Sequence, residues 1–266
     1  MAEGYVTVKP LGPVPVKGLA NPVQIYEVTG AGVARTRLEV AAERGLTRFV
    51  GREFELQQLR RVQQLAGQGH GQVVAIVGEA GVGKSRLVRE FLNSKHTADW
   101  LILESNSVSY GRATPYLPVI ELLRHYFQIS VHDSARSIRE KVTGKILTLD
   151  AALHDAIPPV LDLLNALDDD NPFRSLDLVQ RRQSTYQAVV RLLLSETRVQ
   201  PVIAVFEDLH WHDALSLGLL NDVVVAAQDA RLLLLVNFRP EYKDEWRNRP
   251  NYLQLHLDPL ASGGLA

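Results

Sequence analysis

Cysteine is absent from this 266-residue chain, and methionine occurs once. Without thiols there is no disulfide, no thiolate metal site and no cysteine nucleophile, a composition that agrees with a reducing compartment. An excess of charge is absent too: 29 Lys+Arg stand against 30 Asp+Glu, a formal net charge of −1. That removes the overall electrostatic case for nucleic acid or an anionic membrane and leaves only local basic faces. No apolar run reaches the length of a bilayer span; the run at 215–227 is broken by Asn221 and Asp222. The opening residues, MAEGYVTVKP, lack the apolar core of a signal peptide. A soluble, cytoplasmic protein is expected. What the chain does have is 46% hydrophobic residues, enough for a sizeable core, and room for one large domain or one domain plus a fragment.

One stretch carries specific chemistry. Gly78-Glu79-Ala80-Gly81-Val82-Gly83-Lys84-Ser85 matches G-x-x-x-x-G-K-[ST] at every fixed position. Its flanks fit as well. Residues 72–77 (QVVAIV) read as a strand buried on both faces, and Leu87, Val88, Phe91 and Leu92 recur at helical spacing beyond Arg86. A glycine-rich loop between strand and helix lets successive N–H groups and the helix N-terminus surround phosphate oxygens. Lys84 then reaches the β- and γ-phosphates, and the Ser85 hydroxyl ligates Mg²⁺. Residues 78–86 are therefore the expected segment for binding a nucleoside triphosphate with Mg²⁺.

A second constellation lies far downstream. Residues 201–206 (PVIAVF) read as a strand ending in Glu207 and Asp208, the Walker B pattern. The first acid helps hold Mg²⁺ and the second polarises the attacking water, so Glu207 takes the metal role and Asp208 the base role. The usual order is Asp before Glu. The shorter Asp208 in the base position leaves the division of roles within the pair open and implies slow hydrolysis. His210 and His212 lie near carboxylates, but two histidines without cysteine make a weak zinc site, and Trp211 suits packing better than a nucleotide stack.

The remaining chain supplies a parallel α/β sheet. Residues 100–104, 231–236 and 252–257 read as further strands, with a helix at 214–227. Between the second and third strands lies a long helical insertion, with helices expected at 115–127, 134–149, 151–167 and 176–196. Asp168-Asp169-Asp170 and Arg181-Arg182 within it read as a solvated loop tip and a solvated helix face. The insertion's expected role is to cover the sheet and present a surface. Residues 1–30 differ in character: short β-rich runs at 5–8, 14–16 and 23–28, separated by Pro10, Gly12, Pro13, Gly18, Asn21 and Pro22, read as a three-strand meander too small to be stable alone. A linker that turns helical lies next, at 31–45.

Two resemblances sharpen this reading. Phe49-Val50-Gly51-Arg52-Glu53, then a helix, then the phosphate loop, resembles the entry to a STAND-type AAA+ ATPase module, the signal-transduction branch of P-loop NTPases. Asp208-Leu209-His210-Trp211-His212-Asp213 resembles the segment just past Walker B in the modules fused to bacterial cyclases. The resemblance covers about residues 46–260 and implies strand order 5-1-4-3-2, Val50 and Arg52 against adenine, and Arg239, just past the fourth strand, as a γ-phosphate sensor. From the residues alone Arg239 could equally pair with Glu241. It also implies an ATP/ADP switch closed by a lid that would begin near residue 260. Residues 11–28 (LGPVPVKGLANPVQIYEV) resemble the closing strands of an adenylate/guanylate cyclase catalytic domain, with Lys17 at a triphosphate-contacting place; that family's metal-binding aspartates are not in this sequence, so the chain is not expected to be an active cyclase. The resulting organisation is a cyclase remnant at 1–30, a linker at 31–45, the ATPase domain at 46–260 and a tail at 261–266. The expected partners are nucleotide and other protein domains, with no nucleic acid or membrane bound by this segment. An ATP-binding signalling module with slow hydrolysis is the first expectation. A nucleotide-holding scaffold or protein-interaction module without significant turnover and a non-functional fragment, truncated at both ends, are the alternatives.

Overall fold

The computed structural model describes residues 6–19, 21–31, 48–105 and 114–260, and it divides into two compact units, residues 1–49 and 50–266. The linker expected at 31–45 (apart from Ala31) and the tail at 261–266 lie outside the described residues.

In the first unit, β1 (Val6–Val14) and β2 (Val23–Ala31) form an antiparallel hairpin. This corrects the three-strand meander expected from the turn-forming residues. Val14 closes β1 rather than opening a strand of its own, and Pro10, Gly12 and Pro13 lie inside β1. The physical reason is that both strands of a two-stranded hairpin are edges, where a proline's missing N–H need not interrupt a ladder. Leu11 is accommodated as an irregularity: Pro10 pairs with Tyr26 and Gly12 with Ile25, so one residue of β1 is left over. Leu11, Leu19, Tyr26 and Val28 are exposed on this hairpin.

The second unit is an α/β layer structure around five parallel strands: β3 (Gln72–Val77), β4 (Leu101–Ser105), β5 (Val202–Phe206), β6 (Leu232–Phe238) and β7 (Tyr252–His256). They are hydrogen-bonded in the order β4-β5-β6-β3-β7. Counted within this sheet alone, that is 2-3-4-1-5 from one edge and 5-1-4-3-2 from the other. β6 thus lies between the strand that leads into the phosphate loop and the strand that ends at Glu207. The central strands are buried along their whole length, as their near-continuous Val, Leu and Ile require.

Side chains alternate between two sheet faces. Val73, Ala75, Val77, Ala204, Phe206, Leu234, Val236 and Phe238 join the large core formed with α3 (Leu117–Tyr126), α4 (Ala135–Leu149), α5 (Ile157–Leu163), α6 (Leu178–Val199) and α7 (Ala214–Ala226). α1 (Glu53–Gly67) packs on β3 and β6, with α2 (Lys84–Leu92) beside it. Several boundaries in the insertion differ from expectation, two of them with a plain backbone cause. Residues Ala151–Ala156 form a 3₁₀ segment ahead of α5, because Pro158 and Pro159 lack the N–H groups that a helix running through from 151 would need. α3 starts at Leu117 because Tyr116 adopts a left-handed φ of 61°.

Candidate functional site

The carboxyl ends of β3, β5 and β6 meet at the phosphate loop. β3 enters it at Gly78, where an added Cβ would lie 2.7 Å from the Leu257 carbonyl oxygen and 2.8 Å from a Val82 methyl, so only glycine fits. The loop ends at Gly83, whose φ of 99° caps α2 in a conformation that L side chains rarely adopt. Glu79, Ala80 and Gly81 are exposed along the loop, and Val82 is half-buried. Arg86, on the first turn of α2, is bonded to Glu90 at 2.7 Å.

Lys84 is buried and folds back onto the loop: its Nζ donates to the carbonyls of Gly78 at 2.7 Å and Glu79 at 2.9 Å. Burial lowers its pKa, and the positive charge of Arg239 lowers it further, against the opposing pull of Asp208, Glu79 and Glu207. Ser85 Oγ donates to Glu207 Oε2 at 2.9 Å, across 122 residues of sequence. The structure therefore brings together the loop hydroxyl and the first acid of the distant pair. Glu207 is itself perturbed: burial raises its pKa to about 7, helped by the charges of Asp208 and Glu104 and opposed by the Ser85 hydrogen bond and Lys84. A part-buried hydroxyl–carboxylate pair beside a glycine-rich loop has the donor set of a hard cation held next to an anion. These residues fit Mg²⁺ and a polyphosphate.

Asp208 is half-exposed and left-handed, with φ 51° and ψ 51°. Its Oδ1 lies 4.0 Å from His210 Nδ1. His212 is buried, and its Nε2 donates to the Glu207 carbonyl at 3.0 Å. Desolvation lowers the His212 pKa to about 4, so the ring is neutral near pH 7. No group of three or more His, Asp or Glu capable of holding a metal occurs among the described residues. The acidic tip at 168–170 is occupied in part by ion pairs, Arg139 with Asp168 at 2.9 Å and Arg174 with Asp169 at 3.5 Å.

Arg239 lies immediately past β6, is exposed, and its charge reaches both Lys84 and His210. Val50 is half-buried. Arg52 is buried, unlike the exposed arginine that a simple turn would carry. Its guanidinium donates to Glu55 Oε1 at 2.9 Å, to the Val82 carbonyl at 3.3 Å and to the Asp258 carbonyl. The side chain thus ties the phosphate loop to the segment leaving β7.

Sequence reasoning missed Asn237. It sits in β6, is 1% exposed, and its Oδ1 accepts the Asp208 N–H at 2.8 Å. The available signal was a single amide inside the apolar run RLLLLVNF.

Residues 48–236 match a family model described as an AAA ATPase domain. A curated relative from Rhizobium meliloti (strain 1021), the uncharacterized protein R02095, is 27% identical over 260 residues, which is 93% of this chain and 24% of that protein. The chain spans about a quarter of the length of the relative it matches. Among solved structures, PCH-2 of C. elegans aligns over 78% of this chain and 43% of its own at 10% identity and a TM-score of 0.40. The Walker-type ATPase PABY2304 of Pyrococcus abyssi aligns over 80% of this chain and 55% of its own at 16% identity and a TM-score of 0.39. Neither structural likeness is close enough to carry an argument. No helix among the described residues is long and apolar enough to cross a membrane.

Proposed function

Because the chain belongs to the AAA ATPase domain family, with residues 48–236 matched, we propose that it binds Mg-ATP at residues 78–86 and hydrolyses it slowly. The single observation that carries this reading is the hydrogen bond from Ser85 to Glu207. It closes a site from two motifs that the sequence separates. Mg²⁺ held there would neutralise charge on the polyphosphate.

Contacts in the structure support the roles proposed for Ser85, Glu207 and Lys84, and the resemblance supports those proposed for Val50, Arg52 and Arg239. Ser85 and Glu207 hold the metal, Glu207 directly or through water. The loop amides from Gly78 to Ser85 cradle phosphate, and Arg86 stands at the start of the helix behind them. Lys84 exchanges two neutral carbonyls for phosphate oxygens, which restores the ionic partner that burial denies it. Asp208 orients the attacking water and accepts its proton. Arg239 turns toward the γ-phosphate. Val50 packs on adenine, while Arg52 braces the loop that the adenine side of the site shares. Equilibrium dialysis with ATP, ADP and GTP tests the nucleotide reading. Binding that ignores Mg²⁺, or no binding at all, ends it.

On the same reading this is a STAND-type signal-transduction module, residues 46–260, acting in the cytoplasm. Its ATP and ADP states regulate attached domains of a longer protein. Residues 1–30 are the closing strands of a preceding nucleotide cyclase domain, joined by a linker at 31–45. A second reading is a nucleotide-holding scaffold without turnover. The observation favouring it is the short Asp208 carboxylate in the base position. Phosphate release from the unaltered chain, set beside Asp208→Asn, separates the two. A difference of about a hundredfold fits catalysis by Asp208, and equal background rates fit the scaffold.

A further inference from the structure

The peptide unit joining Glu207 to Asp208 is held at both of its polar atoms. Its carbonyl accepts from His212 Nε2 at 3.0 Å, and its N–H donates to Asn237 Oδ1 at 2.8 Å. One partner comes from the loop just beyond the acids and the other from β6, the neighbouring strand. Both partners are buried, His212 at 4% and Asn237 at 1% exposure. A peptide group is planar, so fixing both atoms fixes the orientation of the whole unit. Asp208 has a left-handed backbone, uncommon for a non-glycine residue, and it persists because its surroundings hold it.

The two grips are expensive in the same way. Asn237 Nδ2 and His212 Nδ1 are buried with no hydrogen-bond partner among the described residues. Each such atom has lost its water and gained no protein bond in return. Asn237 also interrupts a strand whose other residues are all apolar, a place where leucine or valine would satisfy the packing. The ring of His212 already lies edge-on to Phe206, with centroids 6.0 Å apart, a contact that phenylalanine would reproduce. Two buried positions therefore give up stability for one hydrogen bond each, and both bonds go to the same peptide. Polar groups kept at such a cost beside a charged site orient that site.

We propose that Asn237 and His212 are positioning residues that clasp the Glu207–Asp208 peptide, so that the two carboxylates meet Mg-nucleotide in one fixed geometry. Glu207 is turned to Ser85, and Asp208 is half-exposed with its Oδ1 4.0 Å from His210 Nδ1. Neither clasping residue touches nucleotide; both act through the acids. The proposal rests on the reading of this site as a Mg-nucleotide site.

The test uses the 266-residue chain and measures two things: the gain in ATP affinity when Mg²⁺ replaces EDTA, and the thermal midpoint. In Asn237→Leu and His212→Phe the Mg²⁺ gain falls by about tenfold, the scale of losing a partner that orients a metal ligand. ATP affinity in EDTA stays within about twofold and the melt remains cooperative. His212→Gln, which keeps a donor, retains more of the gain than His212→Phe. An unchanged Mg²⁺ gain in Asn237→Leu and His212→Phe, with unaltered protein showing the gain, overturns the clasp and leaves the nucleotide reading standing. Equal losses in the Gln and Phe variants overturn the part assigned to His212. If Asn237→Leu fails to melt cooperatively, Asn237→Ala repeats the measurement, and a full gain there overturns the part assigned to Asn237. Unaltered protein that binds no ATP overturns the site reading itself, and the clasp with it.

Discussion

The helical insertion and the carboxyl edge of the sheet handle charge in opposite ways. Along the insertion, arginines meet carboxylates directly: Arg181 with Asp162 at 2.6 Å, Arg191 with Asp155 at 2.7 Å, Arg139 with Asp168 at 2.9 Å. These pairs are partly open to solvent and do little beyond decorating a surface. At the sheet edge the charges face neutral partners instead. Lys84 rests on two carbonyls and Glu207 on a hydroxyl, and burial pushes each toward its uncharged form. A surface pair is already complete. The edge is incomplete, with a cation and an anion each short of an ionic partner, and a metal-bound polyphosphate supplies both.

The comparison breaks most readily at Lys84. Lys84→Ala should weaken Mg-ATP binding by on the order of a hundredfold or more, since a charge-assisted contact to phosphate is lost. The thermal midpoint without nucleotide should hold or rise, because a desolvated ammonium has gone. Calorimetric titration and a melt read both, and unchanged affinity would remove the site from this loop.

The next effect is on pH. Glu207 has a folded pKa of about 7 against an ordinary 4.5. The folded chain therefore binds this proton more tightly than the unfolded chain does. Its contribution favours the fold at low pH and is lost as pH rises through 7. Without nucleotide, the thermal midpoint should climb by a few degrees from pH 8 to pH 6, and Glu207→Gln should flatten that slope. Mg²⁺-dependent binding should move the other way, weakening below pH 7 as the proton competes with the metal. Parallel slopes in the two proteins would assign the titration elsewhere.

The smallest effect belongs to the insertion. Arg191→Ala removes an exposed pair and should cost no more than about 1 kcal/mol, with no change in nucleotide affinity. A large loss of affinity would mean that the insertion's charges are tied to the site after all.

Much of this molecule is legible in sequence because its signals are local. The strand, the glycine loop and the helix at 72–92 are consecutive, and their spacing alone states the geometry. The strand ending in Glu207 is as plain. Arg52 is different. Its identity announces a turn or a helix start, while its work is to bridge Val82 and Asp258, the latter 206 positions away. Asn237 and His212 are equally opaque: an amide in an apolar run and one histidine of two, until the chain brings them to the same peptide. The hairpin at Val6–Ala31 departs from the sequence expectation for a related reason. Proline and glycine mark turns in a ladder with neighbours on both sides, and here each strand has a neighbour on one side only.

What the sequence determined by itself is the menu of elements and the chemistry each can offer: hydrophobic periodicity sets strand against helix, and G-x-x-x-x-G-K-S sets a backbone able to surround an anion. Only the tertiary structure decided which offers are combined. Ser85 reached Glu207 and Asn237 reached Asp208 because β6 inserts between β3 and β5 and aligns their carboxyl ends, and Arg52 reached Asp258 because β7 pairs on the other side of β3. Such long-range pairings depend on how sheet strands order and on which face each side chain is turned to. Those are consequences of packing the whole core, and no local stretch of residues encodes them.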